Sequence, residues 1–128
     1  MRFLRTRDLV AFACLLAVLA GAVAYRAVYL EPRAWGALCA GAAAPLACLP
    51  RAGLLWMQHF YLLGIASLAC GIAAFFLRGP FALAIAAIAL GIVAVENYNA
   101  SWGMLGAALG AWTWLRAPHV AAARMGVR

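Results

Sequence analysis

Four long apolar stretches divide this chain, and most of its polar residues gather between them. The stretches cover about 9–29, 53–77, 80–97 and 101–116. A helix needs roughly 20 apolar residues to cross a hydrocarbon core. The first two meet that length and the last two are short. Their connection, Glu96-Asn97-Tyr98-Asn99-Ala100-Ser101, is therefore expected at an interface, continuing one helix or both. The pattern predicts an all-α protein: one membrane domain over 1–128, built as an integral four-helix bundle with short connections. An outer loop over 31–50 and a tail over 117–128 complete it. Small residues recur four apart at Ala17 and Gly21, Ser67 and Gly71, Ala87 and Gly91, Gly103 and Ala107, and Gly106 and Gly110. Such stripes let helix backbones approach closely where lipid removes the hydrophobic drive. They suit a compact bundle and equally a seat for a partner subunit.

Composition strengthens this picture. The chain is 70% hydrophobic and 10% charged, with a mean hydropathy of +1.00, whereas soluble domains run near 45–50% apolar and about 25% charged. The net charge of +7 comes from arginine alone. The arginines stand at the ends of apolar stretches, as topology determinants do, and a basic, aromatic-lined groove for nucleic acid is absent. Arg2, Arg5, Arg7, Arg78, Arg116, Arg124 and Arg128 share one side of a four-crossing chain, and Arg26, Arg33 and Arg51 the other. The positive-inside rule then puts both termini in the cytoplasm of a bacterial inner membrane, with membrane lipid as solvent. Trp35, Trp56, Tyr98 and Trp102 mark the outer interface; Phe76, Phe81, Trp112 and Trp114 mark the inner one. A cleaved signal peptide ending at Ala22-Val23-Ala24 is the rival reading of the N-terminus. Asp8 and an apolar run continuing to Leu30 speak against it.

The chemistry-bearing residues sit mostly at the outer end. Cys39 and Cys48 fall in the outer loop, in an oxidising compartment where a disulfide is expected. The bond is either a structural staple, contributing roughly 2–3 kcal/mol through loop closure, or a redox-active pair. Cys14 and Cys70 lie at similar depth on the first two helices, and buried apolar thiols account for both. Arg26, His59 and Glu96 form a second group: ionisable residues at membrane depth are costly, so they pair or serve a function. Arg26–Glu96 is the expected ion pair, with His59 as a third member. The cluster either holds the headgroup of a quinone or other lipid, or is solvated, with Arg26 snorkelling to the interface. Haem, zinc and nucleotide motifs are missing: His59 is the one histidine of the bundle, and no metal-ligand spacing occurs.

Leu30-Glu31-Pro32, followed by Pro45-Leu46-Ala47-Cys48-Leu49-Pro50-Arg51, resembles the bacterial disulfide-bond-formation protein B (DsbB) family. In that family a Leu-Glu-Pro-Cys-Pro-Leu-Cys stretch, with an arginine soon after, leads into the second helix. The resemblance implies four helices with both termini inside, and oxidation of a periplasmic thiol oxidoreductase with electrons passed to ubiquinone. It also implies Cys48 as the quinone-proximal cysteine and Arg51 as a quinone ligand. The chain departs from the family in the eight residues separating Cys39 from Cys48, where the family has two. The family's second loop and second cysteine pair are also missing. Two functions stay open: a periplasm-facing thiol–disulfide redox protein using Cys39 and Cys48, and a non-catalytic accessory subunit of a larger membrane complex with a stapled loop.

Overall fold

The computed structural model describes residues 6–77 and 80–125, with side chains through Arg116. Arg2, Arg5, Arg78 and Arg128 lie outside the described residues, as do the side chains of His119 and Arg124. All regular structure among the described residues is helical, in the order α1 (Thr6–Tyr25), α2 (Arg33–Ala40), α3 (Cys48–His59), α4 (Leu62–Phe76), α5 (Phe81–Glu96) and α6 (Ala100–Met125). A π-helical segment, Arg26–Leu30, prolongs α1, so a continuous apolar rod of 25 residues runs from Thr6 to Leu30. It is long and apolar enough to cross a membrane. Only Ala11 and Leu15 of α1 are buried.

The core is α4, α5 and α6, with α1 leaning on α5. Small residues set how closely these helices approach. A Cβ on Gly71 would stand 2.5 Å from Gly106 O, and one on Gly91 would stand 2.6 Å from Gly103 O. One on Gly106 would collide with the backbone of Ser67. Ser67, fully buried, donates its hydroxyl proton to Ala87 O at 2.8 Å, with Gly103 O at 3.2 Å as a second acceptor. One side chain therefore ties all three core helices. At the opposite end from the loops of α2 and α3, Trp114 Nε1 donates to Asp8 Oδ1 at 3.0 Å. There the Arg7 guanidinium lies 4.1 Å from the centroid of the Phe81 ring.

Three boundaries differ from the sequence expectation. The stretch 53–77 is not one helix: α3 and α4 meet at Phe60-Tyr61 with a bend of 63°. Tyr61 takes a left-handed conformation, φ 56°, that ends α3. Residues 31–50 are not a plain loop. Pro32 caps α2, whose first turn its fixed φ suits. Pro50 is tolerated in the first turn of α3, where N–H groups have no intrahelical partner in any case. The fourth helix does not stop near 116 but continues to Met125, past Pro118.

Candidate functional site

α2 and α3 bring Cys39 and Cys48 together as a disulfide, with Cα atoms 5.6 Å apart. The two sulfurs sit at unlike helix ends. Cys39 is the penultimate residue of α2 and half-buried; Cys48 is the first residue of α3 and buried, 7% exposed. A helix presents partial positive charge at its N-terminus and partial negative charge at its C-terminus. A thiolate is therefore stabilised at Cys48 and disfavoured at Cys39.

Arg51 lies one turn beyond Cys48, on the same face of α3. A Cβ at Gly36 of α2 would stand 3.8 Å from its Nη2. Its Nε is buried and has no hydrogen-bond partner within the protein. An aromatic ladder borders the same end: the Tyr25 and Tyr29 rings are 5.1 Å apart, and Tyr29 meets Trp35 edge-on at 4.5 Å. Of these three, sequence reasoning marked Trp35 as an interfacial residue. Their stacking depends on how α2 folds back over the π segment, for which the chain carries no local signal.

Arg26 is differently occupied. Its Nε donates to Glu31 Oε1 at 2.9 Å, its Nη1 to Glu96 O at 3.0 Å and its Nη2 to the Tyr98 hydroxyl at 2.7 Å. Glu96 Oε2 is 3.6 Å from Nη1. The guanidinium thus ties the end of α1 to the α5–α6 turn, each of its three nitrogens donating within the protein. His59 joins no ion pair among the described residues; its ring meets Phe60 edge-on at 5.0 Å. It lines an open cavity of about 440 Å³ with Leu55, Gln58, Tyr61, Tyr98 and Asn99.

The candidate site is therefore two places rather than one. His59 follows Cys48 along α3 by about 16 Å at the usual helical rise. His59 therefore stands apart from Cys48 and Arg51. Cys39, Cys48 and Arg51 form one site; His59 belongs to a separate cavity at the far end of α3; Arg26 and Glu96 form a structural tie. Cys14 and Cys70 are free thiols, and Cys14 is exposed.

The α5–α6 turn gives the second place its shape. Asn99 N donates to Ala94 O at 2.8 Å and Tyr98 N to Val95 O at 3.2 Å, the pairing of a Schellman ending. Tyr98, φ 60°, holds the left-handed position usually given to glycine. Asn99 is 3% exposed; its Nδ2 donates weakly to Gln58 O at 3.4 Å, and its Oδ1 has no partner. Searches against protein-family models, curated proteins and solved structures return no match for this chain.

Proposed function

We propose that this chain is a bacterial inner-membrane protein whose Cys39–Cys48 disulfide exchanges with a periplasmic protein dithiol and passes the electrons to a membrane quinone. The membrane reading is supported by a 25-residue apolar rod that the rest of the protein leaves uncovered, and by arginines that alternate in side between apolar stretches. In this reading α1, the bent α3–α4 pair, α5 and α6 supply four crossings with both termini inside.

The observation that carries the redox reading is the opposed setting of the two sulfurs. An incoming thiolate attacks the more accessible Cys39 Sγ. The disulfide breaks and Cys48 leaves with the electron pair as a thiolate, stabilised by the start of α3 and by Arg51. The partner's second thiolate then displaces Cys39 from the mixed disulfide. The partner ends oxidised by two electrons, and Cys39 and Cys48, once protonated, stand as thiols.

The residues beside Cys48 suit a quinone. The buried, unpartnered Arg51 Nε offers a proton to a carbonyl oxygen, and Tyr25, Tyr29 and Trp35 offer aromatic edges and faces. A bound quinone supplies an acceptor for two electrons and two protons, which restores the disulfide. The deciding experiment is a redox titration of the Cys39–Cys48 couple against glutathione. The proposal expects a potential clearly more oxidising than about −300 mV; a value below that marks a structural staple.

One observation favours the competing reading, a non-catalytic accessory subunit of a larger complex. Cys14 and Cys70 are unpaired, so no second cysteine couple stands ready to relay electrons. A strongly reducing potential, together with stoichiometric co-purification of other subunits, would establish that role instead.

A further inference from the structure

Helix α3 is amphipathic in the inverted sense. Cys48, Arg51, Leu54 and Gln58 follow one another at spacings of three, three and four residues, and none of them is exposed. They share the less exposed side of the helix, although Leu55, between Arg51 and Cys48 around the helix, is 42% exposed. On the opposite face come Leu49, Gly53, Trp56 and Phe60, at spacings of four, three and four. The three large side chains there stand in the open, Leu49 at 65%, Trp56 at 58% and Phe60 at 50% exposure. Trp56 and Phe60 lie against each other, ring centroids 4.9 Å apart. A helix that turns its arginine and glutamine inward and its tryptophan, phenylalanine and leucine outward is not built to face water.

The direction of α3 narrows what covers that face. α4 has 15 residues, a rise of about 22 Å, short of the roughly 30 Å of a hydrocarbon core. α3 has 12 residues and departs from α4 by 63°. It therefore adds only about 8 Å along the axis of α4 while running about 16 Å sideways. The two together match the thickness of the core, and most of α3 runs across its upper edge. Tryptophan at that depth is an interfacial anchor, and Phe and Leu beside it fit the apolar face of a helix lying in the interface. The outward face of α3 also continues the uncovered apolar surface of the spanning helices: Phe60 is followed across the bend by the exposed Leu62 and Ile65 of α4.

We infer that α3 is an interfacial helix lying in the outer leaflet, its Leu49–Trp56–Phe60 face covered by acyl chains and its opposite face holding Cys48 and Arg51 against the protein. The inference rests on the membrane reading and deepens it. It sets the disulfide at the bilayer surface, with Cys48 on the far side of α3 from lipid. An amphipathic quinone then approaches Cys48 laterally, around α3, and a water-borne dithiol approaches through Cys39.

The test uses the full chain in phosphatidylcholine vesicles whose acyl chains carry bromine either near the headgroup or near the bilayer centre. One variant keeps Trp56 alone, with Trp35, Trp102, Trp112 and Trp114 changed to Phe; a companion keeps Trp112 alone. Shallow bromines are expected to lower Trp56 emission roughly twofold or more and deep bromines to change it little. Quenching of Trp112 with none at Trp56 means that water, a second copy or a protein partner covers α3, and overturns this inference alone. Stronger quenching of Trp56 by the deep bromines makes α3 part of a transverse span and overturns it too. No quenching at either tryptophan overturns the membrane reading itself. The unsubstituted chain gives a second measurement through a photoactivated carbene reagent dissolved in the acyl chains. Leu49, Trp56 and Phe60 are expected to take the label and Arg51 and Gln58 to escape it; label on α1 and α4 but none on α3 contradicts the inference.

Discussion

Ser67 concentrates in one hydroxyl the polar contacts that hold α4 against both its neighbours, through Ala87 O and Gly103 O. Ser67→Ala keeps the volume close to the original and removes the proton. It is expected to lower unfolding free energy by about 1 kcal/mol, the usual net worth of such a bond, as read by reversible denaturation in detergent micelles. An unchanged midpoint would show that close packing alone holds the three helices. The two left-handed tyrosines behave differently from each other. A non-glycine residue in that region costs roughly 1–2 kcal/mol, and Tyr61 is exposed and takes no part in the tie made by Arg26. Tyr61→Gly is therefore expected to raise stability by about 0.5–1 kcal/mol. At Tyr98 the same change also loses the hydroxyl that accepts from Arg26 and the ring beneath its guanidinium, so the gain is expected to shrink or reverse. These details were only partly legible in the chain. Ser67 stands out in sequence as one member of a small-residue pair, but its two acceptors depend on how α5 and α6 are aligned. A tyrosine where glycine normally ends a helix carries no local mark at all.

Among the elements, the glycines separate into those that set an approach and those that do not. Gly71 and Gly106 face each other across α4 and α6, where an added methyl meets backbone. Gly71→Ala and Gly106→Ala are each expected to cost about 1–3 kcal/mol through overpacking. Gly21 on α1 has nothing within 4 Å of an added Cβ, and Gly21→Ala is expected to be neutral or to stabilise by about 0.5–1 kcal/mol. Equal losses at all three positions, measured in the same denaturation series, would contradict the packing described. The four-residue spacing predicted all three as approach sites, because it reports which residues share a face and not whether a neighbour lies against it. Hydrophobicity located α1, α4, α5 and most of α6 for a similar reason: it records what is kept from water. It passed over the bend at Phe60-Tyr61, since neither proline nor glycine stands there and only Gln58 and His59 break the apolar run before it. Over 31–50 the several Ala, Gly and Pro residues suggested a mobile loop, while Pro32 and the disulfide supply the boundaries that let α2 and α3 form.

The molecule as a whole joins a sorted charge pattern to one covalent bond. The pairing of Cys39 with Cys48 was legible because two cysteines close in sequence share one connection between apolar stretches. The separation of His59 from them was not. Membrane depth alone groups Arg26, His59, Arg51 and Glu96 at one level, whereas the length of α3 and the bonds of Arg26 to Glu31, Glu96 and Tyr98 decide which of them meet. Removing the charge beside Cys48 with Arg51→Gln is expected to slow exchange with a small dithiol, read by stopped flow; an unchanged rate would leave Arg51 outside the exchange. The claim beneath all of this is that the chain crosses the membrane and presents Cys39 and Cys48 on its outer side. A chain with Cys14 and Cys70 changed to Ala tests it most directly, reduced in intact cells and then treated with a maleimide that does not cross membranes. Labelling of Cys39, the more accessible thiol, from outside is the predicted result. Labelling that begins only once the cytosolic face is opened to the reagent would contradict it.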